Sequence, residues 1–488
     1  MSELKKRYGL FTAICMVVGI VIGSGVFFKA QSILEKTSGN MLQGILAWII
    51  GGVIMIFCIL AFSVLAQKYE KVNGIVDYAE MTIGSKYAYY IGWFMTVFYY
   101  PTMTSVLAWL SARYLLTFVC TANPDFGMYI GADKGGTVFG PETMVVACFF
   151  LVLSFAINAL SPKLAGKIQV STTVIKLIPL LLMAVVGTIY GFTHPVTETA
   201  SETVLQFNFS QPVESWSLLF PAVVATAFAY EGWIIATSIN AELKNSKKNL
   251  PIALIVGGIV IIAVYIFYFI GVAGGAEVNS LIKTGANVAF LNVFGPTLGN
   301  ILNLFVAISC MGTLNGIMLG CTRGLYSVAV RGYGPKSKIF SHVDKETNMP
   351  VNSAIVAAVL TAFWLVYFYG ANLFAEKPWF GLFSFDSSEL PIVTTYAFYI
   401  PIFISFMIKE KKLSPVKRFL LPSLALIGSA AMVFMAIYAH GVSPFLAARA
   451  ADEPYFSCPV LFYLIVFAVI MVIGKIFMKE KRIKTNNQ

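Results

Sequence analysis

The sequence predicts an all-α polytopic membrane protein. Twelve transmembrane helices form two inverted repeats of five with two helices appended, and the first and sixth helices are broken. Three observations carry this. The chain has 488 residues, 58% hydrophobic and 12% charged, with mean hydropathy +0.79, and no water-soluble fold hides that much apolar surface. Twelve apolar runs reach the ~20 residues that cross a hydrocarbon core. Two of them, at corresponding places in the two halves, are interrupted by glycine beside polar residues.

The first run, 10–34, follows Lys5, Lys6 and Arg7, but it lacks a small-residue cleavage site and continues too far for a signal peptide. It reads as a retained span. Its middle is Ile22-Gly23-Ser24-Gly25-Val26-Phe27. Glycine costs about 1 kcal/mol of helix propensity against alanine, and serine competes for backbone hydrogen bonds. A break here, ~20 Å from the inner end, frees amide N–H groups at membrane depth, which is tolerated where they line a cavity or meet a ligand. The second half-helix then offers the positive end of its dipole. Ile22, Gly23, Ser24 and Gly25 are therefore expected to bind a substrate carboxylate. Close helix packing through small residues is the other reading of the same motif.

Runs 41–66, 86–120, 142–160 and 166–191 complete the first repeat, 10–191. Lys176 falls ~15 Å into the fifth, too deep to snorkel easily. It can pair, deprotonate, line a cavity, or place an ammonium where a sodium ion would otherwise bind. The loop 192–215 is acidic and carries Asn208-Phe209-Ser210, a formal glycosylation sequon.

The second repeat, 216–408, has runs 216–238, 251–273, 299–330, 351–370 and 386–408. Its first run is interrupted at Phe228-Ala229-Tyr230-Glu231-Gly232-Trp233. Glu231 is the one carboxylate well inside a run, where burial costs ~2–4 kcal/mol and usually marks a functional cavity. It can receive a substrate ammonium, carry a proton, or pair with a lysine. Phe228, Ala229, Glu231 and Trp233 join the expected substrate site. Runs 86–120 and 299–330 are both long, and each has an arginine in its last third, Arg113 or Arg323. These two and Lys29 are expected to snorkel. The pairing of broken and long runs between the halves is the inverted repeat, and it points to a transporter site. Runs 417–440 and 455–478 follow, with tails 1–9 and 479–488.

If the N-terminus is cytoplasmic, the inside loops, tails and adjoining run ends hold 25 of the 34 lysines and arginines. The outside loops hold five: Lys36, Lys134, Lys283, Lys377 and Arg449. Both termini are thus expected in the cytoplasm of a protein in the cell membrane. The net charge of +11 is topology and not a nucleic-acid footprint. The seven cysteines have no metal-ligand spacing and read as buried hydrophobes, with Cys120 at the end of a run. His194, His342 and His440 fall in loops or at run ends. No phosphate-binding loop, H-E-x-x-H or nucleophile elbow is present, so no enzyme, metal or cofactor is expected, and transport would draw on a gradient or on exchange.

Gly23-Ser24-Gly25-Val26-Phe27 resembles the G-S/A-G-I-F signature of the amino acid–polyamine–organocation superfamily. Phe228 to Trp233, then Ala241-Glu242-Leu243-Lys244-Asn245 and Asn249-Leu250-Pro251, resemble the sixth-span region of its L-type amino acid transporter branch. Gly312-Thr313-Leu314-Asn315-Gly316 and Arg323-x-x-Tyr326 are similar to its eighth span. The resemblance covers roughly residues 8 to 410. It implies a leucine-transporter-like fold with alternating access. It also implies a substrate carboxylate on the span 1 glycine motif, an amine on carbonyls around both breaks, an aromatic gate at Phe228, and a lysine at Lys176 in place of sodium. Glu231 departs from the glycine common in the branch, Ser246 replaces a proline, and Gln67-Lys68-Tyr69-Glu70 lacks the usual E-L-x-x-x-x-P.

The expected function is sodium-independent secondary transport, by exchange or proton symport, of small neutral L-amino acids such as serine and threonine. The alternatives are a cationic amino acid or polyamine transporter and, more remotely, an amino acid sensor. The expected partners are the substrate and the lipid bilayer. No nucleic acid and no heavy chain is expected, since Cys120 sits too early for such a link.

Overall fold

The computed structural model describes residues 9–68, 74–132, 140–236, 243–347, 349–373, 378–451 and 458–478. The C-terminal tail, most of the N-terminal tail, Lys134, Lys377 and the motif residues Tyr69, Glu70, Ala241 and Glu242 lie outside the described residues. Among the described residues the chain is mainly helical, with an isolated bridge between Pro195 and Thr203.

Nine described helices are long and apolar enough to cross a membrane: Met41–Lys68, Ser85–Ala122, Pro141–Leu160, Ser246–Gly275, Ala286–Ala329, Val351–Ala371, Leu390–Lys409, Val416–Ala450 and Pro459–Phe477. The other three expected runs appear as shorter helices because each is interrupted. Leu10–Val21 gives way to Gly25–Lys36, Pro162–Ile175 to Leu177–Thr193, and Trp216–Ala229 to Trp233–Ala236. The interruption at Lys176 was not expected from sequence. Large apolar side chains such as Phe149, Val152, Ile259, Phe267 and Phe434 face outward, as lipid contact requires, while the interior holds Trp48, Trp109, Trp233 and a set of buried tyrosines.

Local chemistry explains the irregular turns. Ser85–Ala122 contains a π turn at Met95–Tyr99, followed by Tyr100 and Pro101. Pro101 has no N–H for the Val97 carbonyl, and the Trp364 indole donates to that carbonyl at 3.1 Å instead. Ala286–Ala329 bends at Gly295 (φ 75°, followed by Pro296), so the eighth expected run begins just past a kink.

The helices Leu177–Thr193 and Ser246–Gly275 touch backbone to backbone. A Cβ on Gly271 would lie 2.0 Å from the Met183 carbonyl oxygen, and one on Gly274 would lie 2.3 Å from that of Gly187. This seam of small residues anchors the part of the fold that carries Lys176.

The loop 192–215 is folded against the bundle. Thr203 and Gln206 form a capping box on Val204–Phe209. The Asn208 amide is fully buried, donating to Ala273 and Ala276 carbonyls and accepting from the Val278 N–H. The sequon therefore has no glycan acceptor in the folded protein. Its asparagine serves as a structural clasp.

Replacing Gly274 by valine forces the seam apart. The expected loss is about 1–3 kcal/mol or more, read as a lowered unfolding temperature in detergent, and an unchanged temperature would show that the seam is not tightly packed.

Candidate functional site

Both breaks come together at the centre of the bundle. The first begins at Ile22, whose backbone leaves the helix (φ −65°, ψ 104°), and the helix restarts at Gly25. The Ser24, Gly25 and Val26 N–H groups have no backbone acceptor among the described residues, and the Ser24 carbonyl accepts from Phe27 and Phe28. The second break spans 230–232 and turns on Gly232, whose φ of 103° favours glycine. The breaks press together so closely that a Cβ on Gly25 would sit 2.5 Å from Ala229 Cα. The Tyr265 hydroxyl lies within hydrogen-bonding distance of both Val21 O (3.2 Å) and Ala229 O (2.9 Å), so one side chain spans the two.

Between them lies a cavity of about 220 Å³. Gly23, Ser24, Gly25, Phe228, Ala229, Glu231 and Lys176 all line it, so the structure gathers seven of the nine expected site residues around one space. Ile22 and Trp233 do not line it. Ile22 is turned into the core, and Val21 faces the cavity in its place. Trp233 is buried against Phe62 and Tyr399, with ring centroids 5.6 and 5.7 Å away, because the positive-φ turn at Gly232 swings it behind the wall. The two residues back the cavity wall from outside its lining.

Sequence reading missed Tyr99, Tyr100, Met103 and Leu107 from Ser85–Ala122, and Ile317 from Ala286–Ala329. Thr313 and Gly316 stand out in the sequence only as part of the Gly312-Thr313-Leu314-Asn315-Gly316 motif. The usable signal was Tyr99-Tyr100-Pro101, two polar aromatics before a proline in an apolar run. Tyr265 carried no comparable signal.

The polar groups divide the cavity. At one end the buried Ser24 hydroxyl finds no oxygen or nitrogen partner, and the Cys310 thiol is its polar neighbour. A Cβ on Gly23 would meet Thr313 Oγ1 at 3.1 Å, so bare backbone faces the space beside that hydroxyl. Lys176 Nζ donates to the Gly19 carbonyl at 2.5 Å, at the C-terminal end of Leu10–Val21. At the other end Glu231 accepts from the Tyr99 hydroxyl. No lysine, arginine or histidine pairs with Glu231 among the described residues.

Lys29 and Arg113 do not snorkel. Lys29 is 2% exposed, with its ammonium 2.6 Å from a fully buried Glu389 that also meets Lys36 and His440, each at 3.2 Å. Lys29 also lies 5.4 Å from the Phe228 ring centroid, and Phe228 packs edge-on against Phe28. Buried aromatic and ionic contacts thus roof the cavity on the side away from Leu10. Arg113 is buried, donates to Gln31 at 3.3 Å and lies over the Trp109 ring. Arg323 is exposed. Cys120 is a free, buried thiol packed with Leu116.

Residues 8–473 match the amino acid permease family. The chain belongs to it. The permease is 29% identical over 438 residues to the serine/threonine exchanger SteT of Bacillus subtilis (strain 168), covering 88% of this chain and 90% of that one. It is 27% identical to the large neutral amino acids transporter small subunit 2 of Homo sapiens, covering 74% of this chain and 64% of the other. With the Asc-type amino acid transporter 1 of Mus musculus it shares 26% identity, covering 71% and 62%. This chain thus spans about three fifths of the length of these mammalian relatives. The relatives are transporters and exchangers, not enzymes, and this permease is an amino acid transporter of the amino acid–polyamine–organocation superfamily.

Gly25→Ala places a methyl group against the Ala229 backbone, and displacing reacting or binding groups by ~1 Å costs about 10²-fold. Uptake by this variant in proteoliposomes should fall by that order. Ser24→Ala adds no atom and should cost roughly tenfold through one lost hydrogen bond. Wild-type uptake by Gly25→Ala would mean that the close approach of the breaks is dispensable.

Proposed function

We propose that this permease is a sodium-independent secondary transporter of L-amino acids, working by exchange or proton symport. In this reading its twelve spans form a five-plus-five inverted repeat, with both termini in the cytoplasm of a cell-membrane protein. The observation that carries it is the Lys176 ammonium on the Gly19 carbonyl beside the cavity. Carbonyls at the C-terminal ends of half-helices are where such folds bind sodium, and a fixed ammonium there supplies the charge without an ion. The free N–H groups of Ser24, Gly25 and Val26 and the Ser24 hydroxyl take the substrate carboxylate. Carbonyls around the two breaks take its amine, and Phe228 closes over it. As the lysine moves with its helix, the first break is loosened or held, which couples occupancy to opening.

Small neutral substrates such as serine and threonine are supported by the similarity to the serine/threonine exchanger. Here Glu231, held by Tyr99, limits side-chain length. A second reading, a cationic amino acid or a polyamine, is favoured by one observation: Glu231 faces the cavity with no cationic partner among the described residues. A carboxylate in so apolar a space is stabilised by any ammonium or guanidinium that enters.

Liposomes preloaded with each amino acid or polyamine, then offered labelled serine or arginine, separate these readings. Lumenal compounds that are substrates should accelerate uptake. The absence of both this stimulation and a pH response would rule out exchange and symport together. Under the neutral reading Glu231→Gln should alter serine uptake only modestly. Under the cationic reading it should abolish uptake of putrescine or arginine, and a Glu231→Gln variant moving putrescine normally removes that reading. Lys176→Ala should lose pH-dependent transport, and an unaltered pH profile would leave the lysine a purely structural part.

A further inference from the structure

A second cavity, of about 170 Å³, lies on the face of the bundle where the chain enters at Leu10. That is the face the lysine and arginine distribution assigns to the cytoplasm. Tyr99 and Tyr100 line both this chamber and the central one, so two aromatic side chains form the partition. Among its lining residues one is charged, Arg323. It sits where Ala286–Ala329 is interrupted, between Thr322 and Gly324, and a Cβ on Gly324 would crowd Thr96 at 2.9 Å.

The state of Arg323 differs from that of two other arginines, Arg331 and Arg418. Arg331 on the same face is held by Asp77 at 2.7 Å and by the Ser327 carbonyl at 2.6 Å. Arg418 donates to the Met407 carbonyl at 2.8 Å. The Arg323 guanidinium has neither a hydrogen bond nor an ion pair among the described residues. It thus carries five donors and a full charge to the solvent-facing edge of a mostly apolar chamber. A planar fork of this kind matches a carboxylate with two parallel hydrogen bonds.

We propose that this chamber is a second substrate site, at which Arg323 binds the carboxylate of an amino acid waiting on the cytoplasmic side of the Tyr99–Tyr100 partition. The proposal rests on the transport reading above. The incoming carboxylate is held first by a guanidinium and then passes to the backbone N–H groups at Ser24 and Gly25. The ligand must carry a carboxylate, and its side chain is unrestricted at this stage. Selection is left to the central cavity. The site raises the local concentration of substrate on one face and does nothing for the other.

The test uses the full-length permease in proteoliposomes sorted by orientation, with labelled serine and labelled arginine as probes. KM is measured separately at the cytoplasmic and outer faces for wild type, Arg323→Gln and Arg323→Lys. Arg323→Gln should raise KM at the cytoplasmic face roughly tenfold, the value of one charge-assisted hydrogen-bonded contact, and leave the outer-face KM unchanged. Arg323→Lys, which keeps the charge but loses the fork, should recover part of the loss. The unchanged outer-face KM also shows that the variant is folded. An equal rise on both faces, or none on either, overturns the proposal. So does a change that follows the anionic lipid content of the vesicles, which would assign Arg323 to headgroup phosphates. A wild type that moves neither probe brings down the transport reading itself, and this site with it, whereas a transporting wild type with a symmetrical Arg323→Gln removes the second site alone.

Discussion

The structure depends on one close approach, between the backbone at Gly25 and the backbone at Ala229. Two interrupted helices can leave their polar ends in a membrane only if those ends face each other or a ligand. Here they face each other across a gap too small for a side chain, and Tyr265 spans the remaining distance with one hydroxyl. The cavity is what remains beside that contact. Its walls come from Ser85–Ala122 and Ala286–Ala329, whose own irregularities, the π turn before Tyr100 and the interruption at Arg323, adjust which residues look inward.

Buried cations in this bundle are handled in three ways, and the contrast isolates Glu231. Lys29 is matched by a carboxylate that also serves Lys36 and His440. Lys176 rests on a backbone carbonyl, which stabilises it with a dipole and leaves its charge uncancelled. Arg113 is satisfied by an amide and aromatic faces. Glu231 is met by a phenol and no cation among the described residues. A charge balanced by protein is architecture, while a charge left beside a cavity is available to whatever enters it.

The parts of the site written in local sequence were readable there. Gly23-Ser24-Gly25 and Glu231-Gly232 stand out because helix-breaking and ionisable residues in apolar runs are anomalous without reference to anything else. Tyr99, Thr313 and Tyr265 are ordinary residues of apolar helices, and their roles depend on rotation about the helix axis, which hydropathy does not report. Lys29 was misread for the same reason. Its depth suggested snorkelling, but its direction points it at a carboxylate 360 positions away. Trp233 follows the positive-φ turn at Gly232 and packs on Phe62 and Tyr399, a direction that hydropathy does not report either. Asn208 matched a modification motif whose requirement is access, and access is a property of the folded loop.

The Lys29–Glu389 pair also bears on how the chain is made. A ribosome adding 5–20 residues per second needs roughly 20–70 s to reach Glu389 after Lys29 has been synthesised. Through that interval the first helix pair holds a lysine whose carboxylate does not yet exist. The roof over the cavity cannot form while the chain is growing through its middle. It is sealed by one of the last helices to arrive, after the two breaks have been able to find each other.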